Sequence, residues 1–132
     1  MMCPRNLDDL GQFTGSTRFF RHAFNRAVIY TEGVQYVAEN GGAYWLIDAI
    51  ASHIGSPVFQ RAADQDQRIP LLHFWKLAVS PDRSAELTAI ADSGEPAFIQ
   101  QTIPYTDFPL ASIEIWAGHN GEGFTLMLPS EY

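Results

Sequence analysis

Residues 43–54 carry apolar side chains at the spacing of an amphipathic helix, with one formal charge in twelve residues. The opposite side of this helix is unusual, because it holds Trp45 together with Asp48 and Ser52. A helix that is apolar nearly all round needs cover on two sides. We therefore predict a central buried helix between a sheet and another element or a second subunit. The core-facing stripe consists of Ala43, Ile47, Ile50 and Ile54, with Leu46 beside it.

The segments before this helix suggest a hairpin and a second helix. Residues 27–31 are rich in β-branched side chains and predict a strand, with which the aromatic stretch at residues 18–24 could pair. Thr31 leaves two alternatives open. Glu32 and Gly33 suit a two-residue hairpin turn, whereas Thr31 also suits the N-cap of a short helix, which we favour. Further along the chain, a serine and a proline at residues 56–57 have the order typical of a helix start and predict a helix to about residue 63.

After Pro70 the hydrophobic period changes from helical to two, which predicts five strands joined mainly by turn sequences. This order favours an antiparallel meander, since a parallel sheet would need helices between its strands. We therefore expect an α+β fold, with a mainly antiparallel sheet packed on the helix at residues 43–54. The whole chain, 1–132, is expected to be one domain, with residues 1–12 as a loose N-terminal segment. The predicted strands are residues 73–79, 85–91, 97–103, 112–117 and 123–128.

Alternation along the later strands assigns their faces. If Ile113 and Ile115 point toward the core, Trp116 points outward, as does Met127 on the next strand. The preceding strand is expected to expose Phe98. An outer face that carries these three side chains among Thr, Gln and Glu has the composition of an interface core with a polar rim. Alternatively, the N-terminal strands or loops cover this face within one chain.

Composition narrows the classes of partner. The formal net charge of −7 disfavours nucleic acid and anionic membranes, because both require Lys and Arg to neutralise phosphate. No apolar run approaches the roughly 20 residues of a membrane span, and the N-terminus lacks the pattern of a signal peptide. We expect a soluble cytoplasmic protein. Cys3 is the only cysteine, so an internal disulfide is excluded and an inert residue is expected.

Motifs for metal or cofactor chemistry are missing. The four histidines show none of the short spacings of metal ligands, and the glycines form no phosphate-binding or dinucleotide loop, so no metal and no cofactor are expected. A catalytic site could still assemble from distant residues, with Asp48 first because a carboxylate on an apolar helix can be desolvated. Hydrogen bonding that closes the core over the helix is the interpretation we favour for Asp48. The weak catalytic candidates are Asp48, His53, Tyr105 and Asp107.

Six short segments form a distinctive set. They are Phe-Thr-Gly at residues 13–15, Tyr-Thr-Glu-Gly-Val at 30–34, Ala-Tyr-Trp-Leu-Ile-Asp at 43–48, Trp-Lys-Leu at 75–77, Tyr-Thr-Asp-Phe-Pro at 105–109 and Leu-Pro-Ser-Glu-Tyr at 128–132. Together they resemble a family of small bacterial domains of unknown function, often carried by plasmids, phages or other mobile elements. The resemblance implies no activity, cofactor or catalytic residue. It implies only a context, as accessory cargo of mobile DNA, in which small proteins often act by binding others.

Three functions remain as hypotheses. The first is a non-catalytic protein-binding or regulatory module with an acidic, aromatic-bearing surface, which self-associates as a homodimer through Trp116 or, failing that, Trp45, and can also bind a host protein. The second is a small cofactor-free enzyme with a pocket between helix and sheet. The third is an acidic nucleic-acid mimic that inhibits a host enzyme, although its short acidic runs do not form rows. The residues expected at the binding surface are Trp45, Trp116, Met127 and Phe98.

Overall fold

The computed structural model describes residues 19–132, so the expectations for residues 1–12 and for Cys3 lie outside the described part of the chain. The described residues form one seven-stranded, mostly antiparallel sheet and three α-helices, which is the predicted α+β class. The strands are β1 (Phe19–Arg21), β2 (Val28–Thr31), β3 (Leu72–Val79), β4 (Ala85–Ile90), β5 (Ile99–Ile103), β6 (Ser112–His119) and β7 (Phe124–Met127). The helices are α1 (Glu32–Gly41), α2 (Tyr44–His53) and α3 (Pro57–Gln65), and a 3-10 turn follows at Pro129–Glu131.

The helix starts follow from local capping. The Thr31 hydroxyl accepts a hydrogen bond from the Val34 backbone N–H at 3.2 Å, which confirms the helix and rules out the hairpin turn at this point. Gly42 ends α1 in the left-handed conformation, with φ of 63°, where a glycine has no Cβ to strain. Ser56 caps α3 in the same way as Thr31 caps α1, and Pro57 occupies the first turn.

Helix α2 confirms the position of the predicted helix but not its predicted burial. Leu46, Ile47, Ile50 and Ala51 are buried, whereas Tyr44, Asp48 and Ser52 are exposed. Within residues 19–132 the helix is therefore covered on one side only. The apolar residues on its other side are mainly Trp45 and Ala49. Both are partly buried and pack against the core, so no second layer is needed to cover them.

The sheet order is β1-β2-β7-β6-β3-β4-β5, so the expected C-terminal meander is only partly correct. Strands β3, β4 and β5 do follow one another, and β6 and β7 form a hairpin. Strand β6, however, pairs with β3 instead of β5, and β2 joins β7 as the one parallel pair among the described strands. The predicted hairpin between β1 and β2 is confirmed.

The link between β5 and β6 explains this departure from a meander. It crosses the β3–β4 turn, where the Arg83 guanidinium donates to the backbone carbonyls of Thr106 at 3.1 Å and Phe108 at 2.7 Å. The Thr106 N–H returns a hydrogen bond to the Arg83 carbonyl at 2.8 Å, and the Phe108 side chain is fully buried. These contacts hold the link beside the turn that precedes β4, and β6 then pairs with the free edge of β3.

The two faces of the sheet match the predicted alternation in β6 and β7. Ile113, Ile115, Phe124, Leu126 and Leu128 are buried, and the intervening residues point to the outer face. Phe98 is a correction. It precedes β5, and its ring lies 6.2 Å from Phe59 of α3 and 5.8 Å from His73, on the helix side of the sheet. The aromatic ring of Phe59 provides an apolar neighbour that alternation within one strand could not reveal.

None of the helices in residues 19–132 is long and apolar enough to cross a membrane.

Candidate functional site

Four apolar side chains lie side by side across the outer face, one from each of four neighbouring strands. Ile90 of β4 is opposite Phe74 of β3, Phe74 is opposite Trp116 of β6, and Trp116 is opposite Met127 of β7. All four are partly exposed. Residues directly opposite in adjacent strands are the closest neighbours on a sheet face, so these four form a continuous apolar strip. We call Ile90, Phe74, Trp116 and Met127 the outer row.

Trp116 is the centre of the outer row. Its ring centroid lies 5.0 Å from that of Phe74 and 5.2 Å from that of Tyr132, with interplanar angles of 79° and 63°, which are edge-to-face arrangements. The indole N–H is buried and has no hydrogen-bond partner among residues 19–132. An unsatisfied buried donor costs about 1–3 kcal/mol, so apolar packing and not hydrogen bonding holds this ring in place.

A charged row runs parallel to the outer row, two residues further along the strands. Lys76 of β3 is opposite Thr88 of β4 on one side and Glu114 of β6 on the other. A hollow of about 580 Å³ lies between the two rows, and no helix residue lines it. The hollow therefore has an apolar wall on one side and a charged wall on the other. Its lining is Phe74, Trp75, Lys76, Thr88, Ile90, Asp92, Ser93, Glu114 and Trp116.

A second hollow, of about 350 Å³, lies on the other side of the outer row. Gly118 forms part of its floor, because a Cβ at this position would lie 3.2 Å from Met127 Cε and 3.7 Å from Leu72 Cδ1. Leu71 and Tyr132 border this hollow and are 67% and 74% exposed. The outer face therefore offers apolar surface on both sides of Trp116.

Asp48, the first catalytic candidate, pairs with His22 from the loop between β1 and β2. The Asp48 Oδ1 atom lies 2.8 Å from His22 Nε2, and the Asp48 side chain is 59% exposed. His22 Nδ1 accepts hydrogen bonds from the backbone N–H groups of Phe24 at 3.2 Å and Asn25 at 3.0 Å. Because Nδ1 is an acceptor, the proton of the neutral ring sits on Nε2 and is donated to Asp48. The pair thus anchors the loop to α2, and the exposed Asp48 carboxylate does not close the core over the helix.

Asn25 and Tyr30 complete this attachment. The Asn25 side-chain amide donates to the carbonyls of Ala51 at 3.0 Å and Ile54 at 3.1 Å, which satisfies acceptors at the end of α2. Burial, and secondarily the negative charge of Asp48, raises the pKa of Tyr30 above its ordinary value of 10.0. The Tyr30 hydroxyl therefore stays neutral here.

His53 belongs to a different part of the molecule. Its Nε2 atom donates to Gln101 Oε1 at 2.7 Å, and its ring stacks on Trp75 at a centroid distance of 5.8 Å. Gln101 lies in β5 and His22 directly follows β1, and these are the two edge strands of the sheet. Asp48 and His53 thus point to partners from opposite edges and do not share a site.

Tyr105 and Asp107 lie in the link that precedes β6. Tyr105 is 68% exposed and Asp107 is exposed, whereas the intervening Thr106 is buried and accepts a hydrogen bond from the Phe108 N–H at 3.1 Å. Neither residue lines either of the two hollows described above, and the same holds for Asp48 and His53. None of the four catalytic candidates therefore lies in either hollow. Trp45, the alternative interface residue, is partly buried against the core.

His73 has a strongly shifted pKa, but it is part of the core. It is fully buried, and its Nδ1–H donates to the Ile69 carbonyl at 3.0 Å, while Nε2 has no partner among residues 19–132. Burial lowers the pKa of His73 from 6.5 to about 4, with the bond to Ile69 opposing the shift. The imidazole is therefore a neutral core group. Its ring neighbours within 6 Å are Phe59, Trp75, Phe98 and Phe124.

Among residues 19–132, no three His, Cys, Asp or Glu side chains come together so that they could hold a metal ion.

Comparison with known proteins gives one match. The model of a family of unknown function, DUF6876, matches residues 5–132. The chain belongs to DUF6876. No curated protein and no solved structure matches it significantly. Membership of DUF6876 agrees with the resemblance found in the sequence to a small domain family of unknown function, and it assigns no activity to any residue.

In this member of DUF6876, two of the segments that carried the resemblance, residues 30–34 and 128–132, contact each other. The Thr31 hydroxyl donates to Glu131 Oε1 at 2.6 Å, and the same oxygen accepts from the Leu128 N–H at 2.9 Å. A Cβ on Gly33 would lie 2.7 Å from the Glu131 carboxylate. The carboxylate thus packs against the first turn of α1, where the helix dipole favours negative charge. The segments at residues 30–34 and 128–132 therefore connect the start of α1 to the C-terminal 3-10 turn.

Sequence reasoning named Trp116 and Met127 but missed the rest of the outer row. Phe74 could have been predicted to face outward, as could Lys76 of the charged row, because both alternate with the buried residues Trp75 and Leu77 along β3. Ile90 follows in the same way from alternation along β4. The signal was the period of two, applied to β3 and β4 as well as to β6 and β7.

Proposed function

We propose that this member of DUF6876 is a non-catalytic protein-binding module that acts through the outer row. The observation that carries the proposal is the continuous apolar strip of Ile90, Phe74, Trp116 and Met127 across four strands. Its edge is polar, with Lys76 and Glu114 beside the apolar side chains. Apolar centres rich in Trp, Phe and Met within a polar rim are typical of protein interfaces.

A protein partner suits this surface better than a small ligand. The strip is spread over four strands and has a hollow on each side, whereas small-ligand sites bury most of the ligand within one cleft. Trp is also among the residue types that contribute most to binding energy when a partner excludes water.

The enzymatic alternative has less support. Asp48 and His53 bind partners from opposite edges of the sheet, and none of the four candidates lines either hollow, whereas a catalytic constellation needs groups that converge on one reacting atom. The nucleic-acid mimic is also disfavoured, because Arg68 lies among the acidic side chains that would have to form its rows. Its guanidinium is 2.7 Å from Asp66, 3.6 Å from Asp92 and 3.4 Å from Glu95.

The proposal includes two expectations from the sequence. One is a cytoplasmic location. The other is the context implied by the resemblance, in which the protein is a regulatory accessory of mobile DNA and can bind a host protein.

Site-specific photo-cross-linking tests the proposal. A photoreactive amino acid replaces Thr88, which lines the larger hollow, and a matched control places it at Gln60 on the exposed side of α3. Irradiation of cells that naturally carry the protein should give covalent protein adducts from position 88 and not from position 60. A Trp116→Glu substitution added to the Thr88 variant should abolish them. The absence of any adduct from position 88, or equal adducts from both positions, would overturn the proposal.

A further inference from the structure

We propose that the outer row binds a second copy of this chain, face to face, about a two-fold axis that runs parallel to β3 and β6 and midway between them. This inference rests on the proposed function and names its partner. Both strands lie in the middle of the sheet, and their outer residues are matched as pairs, Phe74 with Trp116 and Lys76 with Glu114. We infer a second copy as the partner because opposite charges of the two copies would face each other across this axis.

The charges determine the direction of the axis. Rotation about an axis parallel to the strands places β3 of one copy over β6 of the other at the same level along the strands. Lys76 then faces Glu114 of the second copy, and Glu114 faces its Lys76, so each interface contains two opposite-charge contacts. Sheets packed face to face are about 10 Å apart, which long side chains from both sides can span.

A two-fold axis perpendicular to the strands fits less well. If it passed through the outer row, Lys76 would face Leu72 of the second copy, and Glu114 would face its Gly118, because Leu72 and Gly118 are the opposite pair on the other side of the row. Both charges would then lose water without an opposite charge nearby, which is unfavourable. The parallel axis avoids this loss.

The apolar side chains agree with the parallel axis. The same rotation exchanges β4 with β7, so Ile90 faces Met127 of the second copy while Phe74 faces its Trp116. Each aromatic side chain therefore faces another aromatic side chain, and Ile90 faces the flexible apolar side chain of Met127. Such a contact buries the outer row of both chains. Removing this apolar surface from water is favourable, and a monomer leaves it exposed.

Charge reversal tests the arrangement. Lys76→Glu gives a chain with acidic residues at positions 76 and 114, and Glu114→Lys gives one with basic residues at both. Each variant alone should dimerise at least about tenfold more weakly than the wild type in sedimentation equilibrium, because like charges face each other across the axis. An equimolar mixture of the two variants should form a heterodimer with an affinity close to that of the wild type. The double variant Lys76→Glu/Glu114→Lys should also recover the homodimer.

The mixture separates contacts between chains from contacts within one chain. Each single variant keeps its own like-charge pair on neighbouring strands when it is mixed, so only contacts between copies can restore association. Both positions are exposed, and circular dichroism with thermal melting checks that the variants remain folded. Lys76→Gln and Glu114→Gln provide a graded control. Mixing them should restore only part of the affinity, because their heterodimer regains one of the two opposite-charge contacts.

Two results would overturn the inference. One is a monomeric wild type at tens of micromolar. The other is a dimer whose affinity does not respond to either charge reversal or to mixing. These results leave the proposed function testable by itself, since photo-cross-links from position 88 to a different protein would support protein binding and exclude self-association. A lack of cross-links to any protein would overturn both.

Discussion

His73 should make the stability of the protein depend on pH. Burial lowers its pKa to about 4 in the folded protein, whereas the unfolded chain has the ordinary value of 6.5. The unfolded state therefore binds more protons between these two values, so the free energy of unfolding falls as the pH is lowered through this range. The difference in pKa corresponds to a loss of about 3 kcal/mol, a large part of the roughly 5–15 kcal/mol that stabilises a typical domain.

The structure explains why protonation is unfavourable at this site. The His73 side chain is fully buried, and its Nδ1–H already donates to Ile69. A second proton would sit on Nε2, which has no acceptor among residues 19–132. The nearest rings are aromatic, and an imidazolium there would lose its hydration without gaining a hydrogen bond.

Urea denaturation at a series of pH values between about 8 and 4 measures the effect. Subtracting the curve of His73→Phe from that of the wild type removes the common titration of carboxylates, and the difference should change by about 3 kcal/mol over this range. His119→Gln is the matched control, because it removes an exposed histidine and keeps His73. The reasoning is refuted if the wild-type and His73→Phe curves are parallel, or if NMR titration of the folded wild type gives His73 a midpoint near 6.5.

Three further predictions follow from the core, the α1 contact and the missing ligand motifs. Ile50→Asp, at a fully buried position of α2, should abolish cooperative thermal unfolding, since an unpaired core charge costs several kcal/mol; a melt near that of the wild type would contradict the core assignment. Gly33→Ala should destabilise the protein by about 1–3 kcal/mol, because the new Cβ displaces the Glu131 carboxylate from its hydrogen bonds with the Thr31 hydroxyl and the Leu128 N–H. In a Glu131→Ala background the same substitution should cost clearly less, and equal costs in urea denaturation would exclude this displacement. Elemental analysis of the purified protein should find no stoichiometric metal, and about one zinc or iron per chain would contradict the expectation from the sequence.

Local structure was predictable from the sequence because its causes lie within a few residues. Thr31 and Ser56 carry the hydroxyls that cap α1 and α3, and a period of two along β6 and β7 placed Trp116 and Met127 on the outer face. Capping and alternation act between near neighbours in the chain, so the residues concerned can be recognised together. The same alternation in β3 would have revealed Phe74.

Pairing between strands was decided only by the tertiary structure. The expected meander placed β6 beside β5, but contacts of Arg83 with the link before β6 lead that strand to β3. Phe98 turned to the helix side because Phe59 of α3 offered it an apolar neighbour. Asp48, for which the sequence favoured hydrogen bonding that closes the core over the helix, is exposed and paired with His22 from a distant loop.

The outer row shows how far the sequence alone can predict a surface. Each of its members sits at a position whose face follows from alternation, a property of the local backbone. Their alignment into one strip depends on the register between β4, β3, β6 and β7, which is set by the burial of the opposite face of the whole sheet. For these four positions, the sequence by itself determined that the side chains point outward. The folded sheet decided that Phe74 and Trp116 touch, because long-range pairing minimises the free energy of the whole core and not of any one segment.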